Sequence, residues 1–326
     1  MDQLKTFLKQ ERGVYDHTTS LPIEIILADL SKEEFISFYR KNKELIENNL
    51  MVHGAIKFRG VAIDSIDSFQ EITHSISTKF LSYIDGNSPR TKLTGSVYTS
   101  TEYDASQKIT MHNELSYSKK WPGKIFFSCI TPAQMGGETL LADSRTILQK
   151  MDKEIVSEIG RKGVTYVRNL HGGTGMGPSW MDTFETNDKQ ELENYCTSYD
   201  IDFSWKENDL LHVKQSSKGI LQHRTTNESV WFNQIDQFHP LHLGDELYET
   251  MLLMYESPEN FPMYVTYGDG TIIPSEVIQK ILETIEIVTV APQWDRNELL
   301  MVDNELIAHG RNPFKGDRKV VVAMSE

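Results

Sequence analysis

The stretch Ile109–Tyr117 has the sequence ITMHNELSY, and we predict that it is extended. In a β-strand, residues two positions apart point to the same face. The His112 imidazole and the Glu114 carboxylate would therefore lie side by side, while Asn113 points to the opposite face. Imidazole nitrogen and carboxylate oxygen are both ligands of divalent transition metals. The stretch therefore predicts half of a metal site.

The His-x-Glu spacing alone is weak evidence for a metal site, because it arises by chance in a chain with 10 histidines and 47 acidic residues. A second imidazole is needed to complete the ligand set. His309 lies at the end of an apolar, strand-like run, and Arg318 follows nine positions later at the start of another. We therefore expect a third metal ligand and an anion-binding guanidinium on neighbouring strands. Two imidazoles and one carboxylate are the ligand set of non-haem Fe(II) oxygenases, because three adjacent coordination positions stay open.

Short strand-like runs are spread over the whole chain, and helical periodicity appears in three segments. The predicted strands are Gly54–Phe58, Ser96–Thr101, Ile125–Ile130, Glu138–Ala142, Val164–Val167, Val230–Asn233, Glu286–Val290, Leu299–Val302 and Lys319–Met324. The predicted helices are Ser31–Asn48, Ser65–Ile76 and Ser275–Ile285. This pattern predicts a mainly β fold with helical decoration (α+β), of the β-sandwich or jelly-roll type. No linker or repeat divides the chain, so we expect a single domain over residues 1–326.

The charge balance disfavours several classes of partner. The 33 basic and 47 acidic residues give a net charge of −14, which opposes binding to a phosphate backbone or to an anionic membrane. We therefore expect no nucleic-acid or membrane partner. Cys129 and Cys196 form no metal-binding or redox motif, and no signal peptide or membrane-spanning segment is predicted. These features are typical of a cytoplasmic protein in a reducing compartment.

Five motifs, spaced from about residue 54 to residue 324, resemble those of a known enzyme family. They are Val97–Tyr103, Met111–Tyr117, Gly136–Asp143, Val230–Asn233 and His309–Arg318. Together they are similar to the motifs of the Fe(II)/2-oxoglutarate-dependent dioxygenases of the taurine dioxygenase-like group. Within that group the chain resembles the clavaminate synthase-like, syringomycin-biosynthesis-type enzymes, which oxidise amino acids or carrier-bound aminoacyl groups.

The resemblance implies a double-stranded β-helix, a jelly roll whose inner face holds the iron. His112, Glu114 and His309 match the family's metal ligands, with Glu114 in place of the commoner aspartate. Thr139 matches the threonine that contacts 2-oxoglutarate, and Arg318 matches the arginine that pairs with the far carboxylate of this cosubstrate. A planar guanidinium suits that carboxylate better than an ammonium group does.

Further residues are candidates for contact with the substrate. Arg311 lies two positions after a predicted ligand on the same strand, so we expect it to face the same cavity. It is either the competing partner of 2-oxoglutarate or the partner of a substrate carboxylate. Asn113, Tyr103 and Ser116 flank the ligand strand and complete this set.

The implied reaction uses Fe(II), 2-oxoglutarate and O₂, releases succinate and CO₂, and hydroxylates an unactivated C–H bond. Desaturation or ring closure shares the first hydrogen abstraction, so both outcomes stay open. Glu114 fills the position that a halide needs in related halogenases, which disfavours halogenation. A zinc hydrolase with the same three ligands and a non-catalytic binding protein on the same fold also stay open.

The implied substrate is an amino acid or an amino-acid-derived small molecule of specialised-metabolite, antibiotic-type biosynthesis. It is either free or tethered to a peptidyl carrier domain. Carrier domains are usually acidic, so the acidic surface opposes their docking unless a basic patch such as Lys119-Lys120 assists. The sequence therefore favours a free small molecule.

Overall fold

The fold is described by a computed structural model that covers residues 14–16 and 21–326. The strands are β1 (Val14–Asp16), β2 (Ile23–Leu30), β3 (Ala55–Val61), β4 (Lys92–Thr94), β5 (Val97–Thr99), β6 (Ile109–His112), β7 (Lys124–Thr131), β8 (Met135–Gly136), β9 (Thr139–Asp143), β10 (Val164–Leu170), β11 (Asp202–Trp205), β12 (Leu211–Ser217), β13 (Ile220–Gln222), β14 (Ser229–Trp231), β15 (Met263–Tyr267), β16 (Glu298–Asp303), β17 (Ile307–Arg311), β18 (Phe314–Lys315) and β19 (Lys319–Ser325). The α-helices are α1 (Lys32–Lys41), α2 (Lys43–His53), α3 (Ile66–Ile76), α4 (Ser144–Lys150), α5 (Lys153–Lys162), α6 (Trp180–Phe184), α7 (Lys189–Ser198), α8 (Ile235–Phe238), α9 (Asp245–Tyr255) and α10 (Ser275–Val288).

The largest sheet has the strand order β1-β2-β3-β16-β7-β19-β5-β4, and a smaller sheet has the order β6-β17-β9. In the larger sheet β2 and β3 are parallel, and the other neighbours are antiparallel. Further short sheets join β11-β12-β10-β15, β13-β14 and β18-β8. Two facing sheets with helices outside them confirm the predicted mainly β jelly roll with helical decoration.

The two faces of the larger sheet bury different side chains, because successive residues of a strand point to opposite sides. Phe127 and Leu300 belong to a core that the larger sheet shares with the smaller one. Phe126 and Met301, one position along each strand, belong to a second core beneath α1, α2 and α3. The sheet is therefore held on both faces, and its inner face is directed toward β6, β17 and β9.

The segment Ser31–Asn48, predicted as one helix, contains a break. Asn42 separates α1 from α2, and its side-chain amide donates to the Phe38 carbonyl at 2.8 Å. An asparagine side chain that bonds a carbonyl of the last turn competes with continuation of the helix. The other two helices form as predicted, over Ile66–Ile76 and from Ser275 onward.

The predicted strand Glu286–Val290 is wrong, because α10 continues to Val288. The buried residues Ile278, Ile281 and Ile285 have helical spacing, and Val288 extends that spacing by three positions. Val290 alone in this segment pairs as a bridge, with a residue of β9. No helix in the described part of the chain combines the length and apolar character needed to cross a membrane.

Candidate metal centre

His112 and His309 lie opposite one another on paired strands. His112 ends β6, His309 lies in β17, and the strand register pairs their Cα positions. The two ring centroids are 4.3 Å apart. Glu114 Oε2 lies 3.6 Å from His309 Nε2, and one ligand atom from each of the three side chains lies within 4.8 Å of the others. Strand pairing therefore brings the three buried side chains into one cluster.

Glu114 reaches this cluster from a turn and not from the predicted strand. After His112 the chain turns, with Leu115 at a φ of 54°. Asn304 fixes this turn, since its Oδ1 accepts the Glu114 N–H at 2.7 Å and its Nδ2 donates to the Glu114 carbonyl at 3.0 Å. The prediction of an extended Ile109–Tyr117 is therefore wrong beyond His112, because the backbone of Glu114 pairs with a side-chain amide instead of a strand.

A buried arginine that no sequence motif marks, Arg90, pairs with Glu114. Arg90 Nη2 donates to Glu114 Oε2 at 2.6 Å, and the two side chains are 2% and 1% exposed. The guanidinium also lies over the Tyr83 ring, 4.2 Å from its centroid. Burial alone would raise the pKa of Glu114, but Arg90 and the two imidazoles hold it below its usual value. The carboxylate is therefore ionised and can bind a cation.

The His112 imidazole is neutral and offers a nitrogen lone pair. His112 Nδ1 donates to the Thr110 carbonyl at 2.9 Å, which leaves Nε2 unprotonated. Burial and the neighbouring His309 lower the pKa of His112 to about 3. Both ring nitrogens of His309 are buried without a hydrogen-bond partner. Buried polar atoms without partners are rare and costly, so this donor set fits a divalent metal ion such as Fe(II).

A cavity of about 30 Å³, here called the smaller cavity, lies beside the cluster and is lined by both histidines, Thr139 and Arg318 among others. Arg318 Nε donates to the Gly137 carbonyl at 2.8 Å, and its Nη1 donates to Ser100 Oγ at 3.2 Å. Within the described residues, Arg318 has no carboxylate partner within ion-pair distance. Burial and the nearby Arg311 lower the pKa of Arg318 to about 10, so it stays charged at neutral pH. The smaller cavity therefore presents a guanidinium that can bind an anion.

Arg318 and His309 do not lie on neighbouring strands, contrary to the prediction. His309 belongs to β17 of the smaller sheet, whereas Arg318 immediately precedes β19 of the larger sheet. The guanidinium therefore approaches the metal cluster from the facing sheet. The smaller cavity lies between the two sheets, and only their packing brings these two residues together.

Arg311 lines the same cavity, but its guanidinium is largely occupied. Its Nη1 and Nη2 donate to four backbone carbonyls within residues 101–107, over distances of 2.8 to 3.4 Å. These bonds hold the connection between β5 and β6. The contacts favour a structural role for Arg311 over both of its predicted roles.

A larger cavity, of about 870 Å³, adjoins the smaller one. Arg90 and Ile109 line both cavities and so form part of the wall between them. Tyr103 lines the larger cavity, as expected for a substrate contact, and its hydroxyl donates to the Asn87 carbonyl at 3.2 Å. Most of the remaining wall comes from connections between strands and from short helices.

Asn113 and Ser116 line neither cavity, so the cavity walls give no support to their predicted contact with substrate. Asn113 is fully buried, and its amide donates to the Asn304 carbonyl at 2.7 Å and to Ser144 Oγ at 3.2 Å. Ser116 is 1% exposed within the turn that follows Glu114. The Asn113 side chain therefore ties the turn that presents the carboxylate to Asn304, whereas Ser116 contributes its backbone N–H, which donates to the Asn113 carbonyl at 3.2 Å.

The fold and this cluster define the class of protein, an oxygenase that holds iron with two histidines and one carboxylate. Residues 21–324 match the family described as "Taurine catabolism dioxygenase TauD, TfdA family". The chain belongs to this family, and it is an Fe(II)- and 2-oxoglutarate-dependent dioxygenase. The family match confirms the resemblance inferred from the motifs.

Two relatives are similar over most of their length. The dapdiamide synthesis protein DdaC of Enterobacter agglomerans is 34% identical over 297 residues, which cover 91% of this chain and 88% of that protein. A clavaminate synthase-like protein of Arabidopsis thaliana is 29% identical over 319 residues, which cover 94% of this chain and 91% of that protein.

Solved structures share the fold at low sequence identity. PvcB from Pseudomonas aeruginosa gives a TM-score of 0.56 at 12% identity, covering 96% of this chain and 89% of that chain. A putative alpha-ketoglutarate-dependent taurine dioxygenase from Burkholderia xenovorans gives a TM-score of 0.55 at 13% sequence identity. The match covers 96% of this chain and 92% of that chain. These likenesses concern the fold.

Proposed function

We propose that the enzyme hydroxylates an unactivated C–H bond of an amino-acid-derived small molecule in specialised-metabolite biosynthesis. His112, Glu114 and His309 hold Fe(II), and this buried cluster beside two adjoining cavities is the observation that carries the proposal. Residues that line the smaller cavity bind the cosubstrate, and the larger cavity takes the substrate.

Arg318 and Thr139 are the proposed 2-oxoglutarate contacts. Arg90 is already neutralised by Glu114, whereas Arg318 is a half-buried cation with no carboxylate partner among the described residues. A dicarboxylate supplies that partner, and a guanidinium binds a carboxylate through two parallel hydrogen bonds. Arg311 is not assigned this role, because its donors hold the chain between β5 and β6.

When bound, the iron and 2-oxoglutarate supply O₂ activation and hydrogen abstraction, with release of succinate and CO₂. The chain itself positions one substrate C–H bond and keeps the site dry. Phe127 packs edge-on against the His309 ring at 5.3 Å, which excludes water from one side of the cluster. Arg90 keeps Glu114 ionised and oriented at the boundary with the larger cavity.

The larger cavity supports a substrate larger than a free amino acid. Its volume of about 870 Å³ falls within the range of roughly 300–1,000 Å³ typical of pockets for drug-sized ligands. The relatives named for dapdiamide synthesis and as clavaminate synthase-like support an amino-acid derivative. Lys119 and Lys120 pair with Asp200 and Glu326, so this pair of lysines offers little free charge to an acidic carrier domain. We therefore favour an untethered substrate.

We further propose that residues 1–326 act as one dioxygenase domain in the cytoplasm. Strands from both ends of the described chain, β1 and β19, belong to the same sheet, which supports a single unit. Cys129 and Cys196 are both free and buried, which fits a reducing compartment.

The test is an anaerobic titration of the protein with Fe(II) and then 2-oxoglutarate, monitored by the metal-to-ligand charge-transfer band. A screen for succinate release over amino acids and their derivatives follows, with product masses to separate hydroxylation from desaturation or ring closure. We expect the band and substrate-dependent succinate. Absence of the band, together with full activity with Zn²⁺, would support the zinc hydrolase instead, and absence of metal and cosubstrate binding would support a binding protein.

A further inference from the structure

Trp294 donates a hydrogen bond to a residue of the proposed cosubstrate site. Its indole Nε1 lies 2.8 Å from Thr139 Oγ1. Thr139 is 4% exposed and lines the smaller cavity, whereas Trp294 comes from the segment that leads into β16 and does not line that cavity. Trp294 and Arg318 also line a separate cavity of about 80 Å³. The indole therefore lies behind the wall that Thr139 and Arg318 present to the cosubstrate.

The chemistry of the two groups determines the direction of this bond. An indole N–H can only donate, so the Thr139 oxygen must accept. The hydroxyl proton of Thr139 is not used in this bond, and within the described residues the hydroxyl has no second hydrogen-bond partner. Threonine is also stiff at χ1, so its oxygen has few alternative positions. The hydroxyl is thus left as a donor beside the smaller cavity.

The two residues that flank Trp294 in the chain are both hydrogen-bonded to strand β3. The Gln293 carbonyl accepts from Lys57 Nζ at 3.0 Å. The Asp295 carboxylate accepts from Arg59 Nη2 at 2.6 Å. Both basic residues lie on β3, so the larger sheet fixes the segment. The position of the indole therefore does not depend on a bound ligand.

We propose that Trp294 is a positioning residue for 2-oxoglutarate, because it commits the Thr139 hydroxyl to donate to a carboxylate of the cosubstrate. This inference rests on the proposed role of Thr139. A chain from the indole N–H to the hydroxyl and on to a carboxylate also strengthens each bond through polarisation. Without the indole N–H, the Thr139 hydroxyl is free to rotate and to donate its proton to an acceptor other than the cosubstrate.

The experiment measures the Kd of 2-oxoglutarate on the Fe(II)-loaded protein without O₂, through the charge-transfer band. Thr139→Val removes the hydroxyl, and Trp294→Phe removes the indole N–H. We expect the Kd to rise about 10-fold and about 5-fold respectively, as for the loss and the weakening of one charge-assisted hydrogen bond. The double variant should match Thr139→Val within about twofold, because Trp294 acts through the hydroxyl. Fe(II) affinity and the thermal unfolding midpoint serve as controls of the fold.

Trp294→His keeps a ring N–H donor, and we expect it to retain the wild-type Kd within about 3-fold, as a rescue that a purely structural role would not predict. An unchanged Kd in Trp294→Phe, or an equal loss in Trp294→His, overturns the positioning role. An additional 5-fold loss in the double variant also overturns it, because the indole would then act independently of the hydroxyl. An unchanged Kd in Thr139→Val instead shows that the proposed cosubstrate contact itself is wrong.

Discussion

The two cavities of this enzyme are built from different kinds of structure. The smaller cavity takes its two imidazoles and its threonine hydroxyl near the metal cluster from strands, with His112 on β6, Thr139 on β9 and His309 on β17. The larger cavity is lined mainly by connections and short helices, such as the chain from Gly86 to Arg90 and helix α6. Strand pairing fixes atoms to a set register, whereas connections vary freely in length and sequence. We infer that the strands carry the shared chemistry and the connections carry the choice of substrate.

The sharpest test of this division is the loss of a ligand from the strand-built cavity. We expect His309→Ala to abolish Fe(II) binding and the charge-transfer band, because one of three ligands is removed. The matched control is His242→Ala, which removes a histidine that lines the larger cavity. Equal loss of Fe(II) binding in the control would contradict the separation of the two cavities. Both are measured by anaerobic Fe(II) titration.

The next largest effect concerns the two arginines of the smaller cavity. We expect Arg318→Ala to weaken 2-oxoglutarate binding by about 100-fold, as two charge-assisted hydrogen bonds are lost, while Fe(II) affinity is kept. Arg311→Ala should change the same Kd by less than about 3-fold and mainly lower the thermal unfolding midpoint, since its donors bind backbone carbonyls. An unchanged Kd in Arg318→Ala would move the cosubstrate contact to Arg311.

Substitution of Arg90, which lines both cavities, tests whether this residue orients the metal ligand Glu114. We expect Arg90→Met to lower Fe(II) affinity by about 10- to 100-fold, the usual cost of losing a partner that orients a metal ligand. Arg90→Lys keeps the charge and should recover part of the affinity. An isothermal titration with Co(II) measures both without turnover. A wild-type affinity in Arg90→Met would mean that the Asn304 contacts alone orient Glu114.

The smallest effect is expected on the pH dependence of stability, at Asp236 in α8. This residue precedes Gln237, which lines the larger cavity. Burial raises the pKa of Asp236 from its usual value to about 7. The folded state then binds a proton that the unfolded state has lost, so stability falls as pH rises from about 4 to about 7. We expect Asp236→Asn to be more stable than the wild type at pH 8, on the order of 1–3 kcal/mol, and equally stable below pH 4. Urea unfolding at both pH values measures this, and a pH-independent difference would contradict it.

The contrast between the cavities also explains which predictions from sequence succeeded. His112, Glu114 and His309 belong to local motifs of unusual residue types, so they could be selected before the structure was known. Arg90 carries no such signal, because it lies between Pro89 and Thr91 outside every motif that points to a metal or anion site. Its partner Glu114 lies 24 positions away, and that distance hides the pairing.

Asn304 is a second residue whose long-range contact could not be predicted from the sequence, although its local structure could. The pair Asp303-Asn304 is typical of a turn, and a turn is present there. Its amide nevertheless acts 190 positions earlier, on the backbone of Glu114. The prediction that Glu114 lies in a strand failed for this reason, since alternation along a strand takes no account of a side chain that arrives from another part of the chain.

The amino-acid sequence alone determined the fold class, the three metal-ligand candidates and the family, because these depend on residue types at fixed spacing. The tertiary structure alone decided that Arg318 approaches from the facing sheet, that Arg311 holds a connection, and that Arg90 separates two cavities. The physical reason is the range of the interactions. Periodicity and spacing act over a few residues, whereas the charge partners and cavity walls form only when two sheets pack face to face.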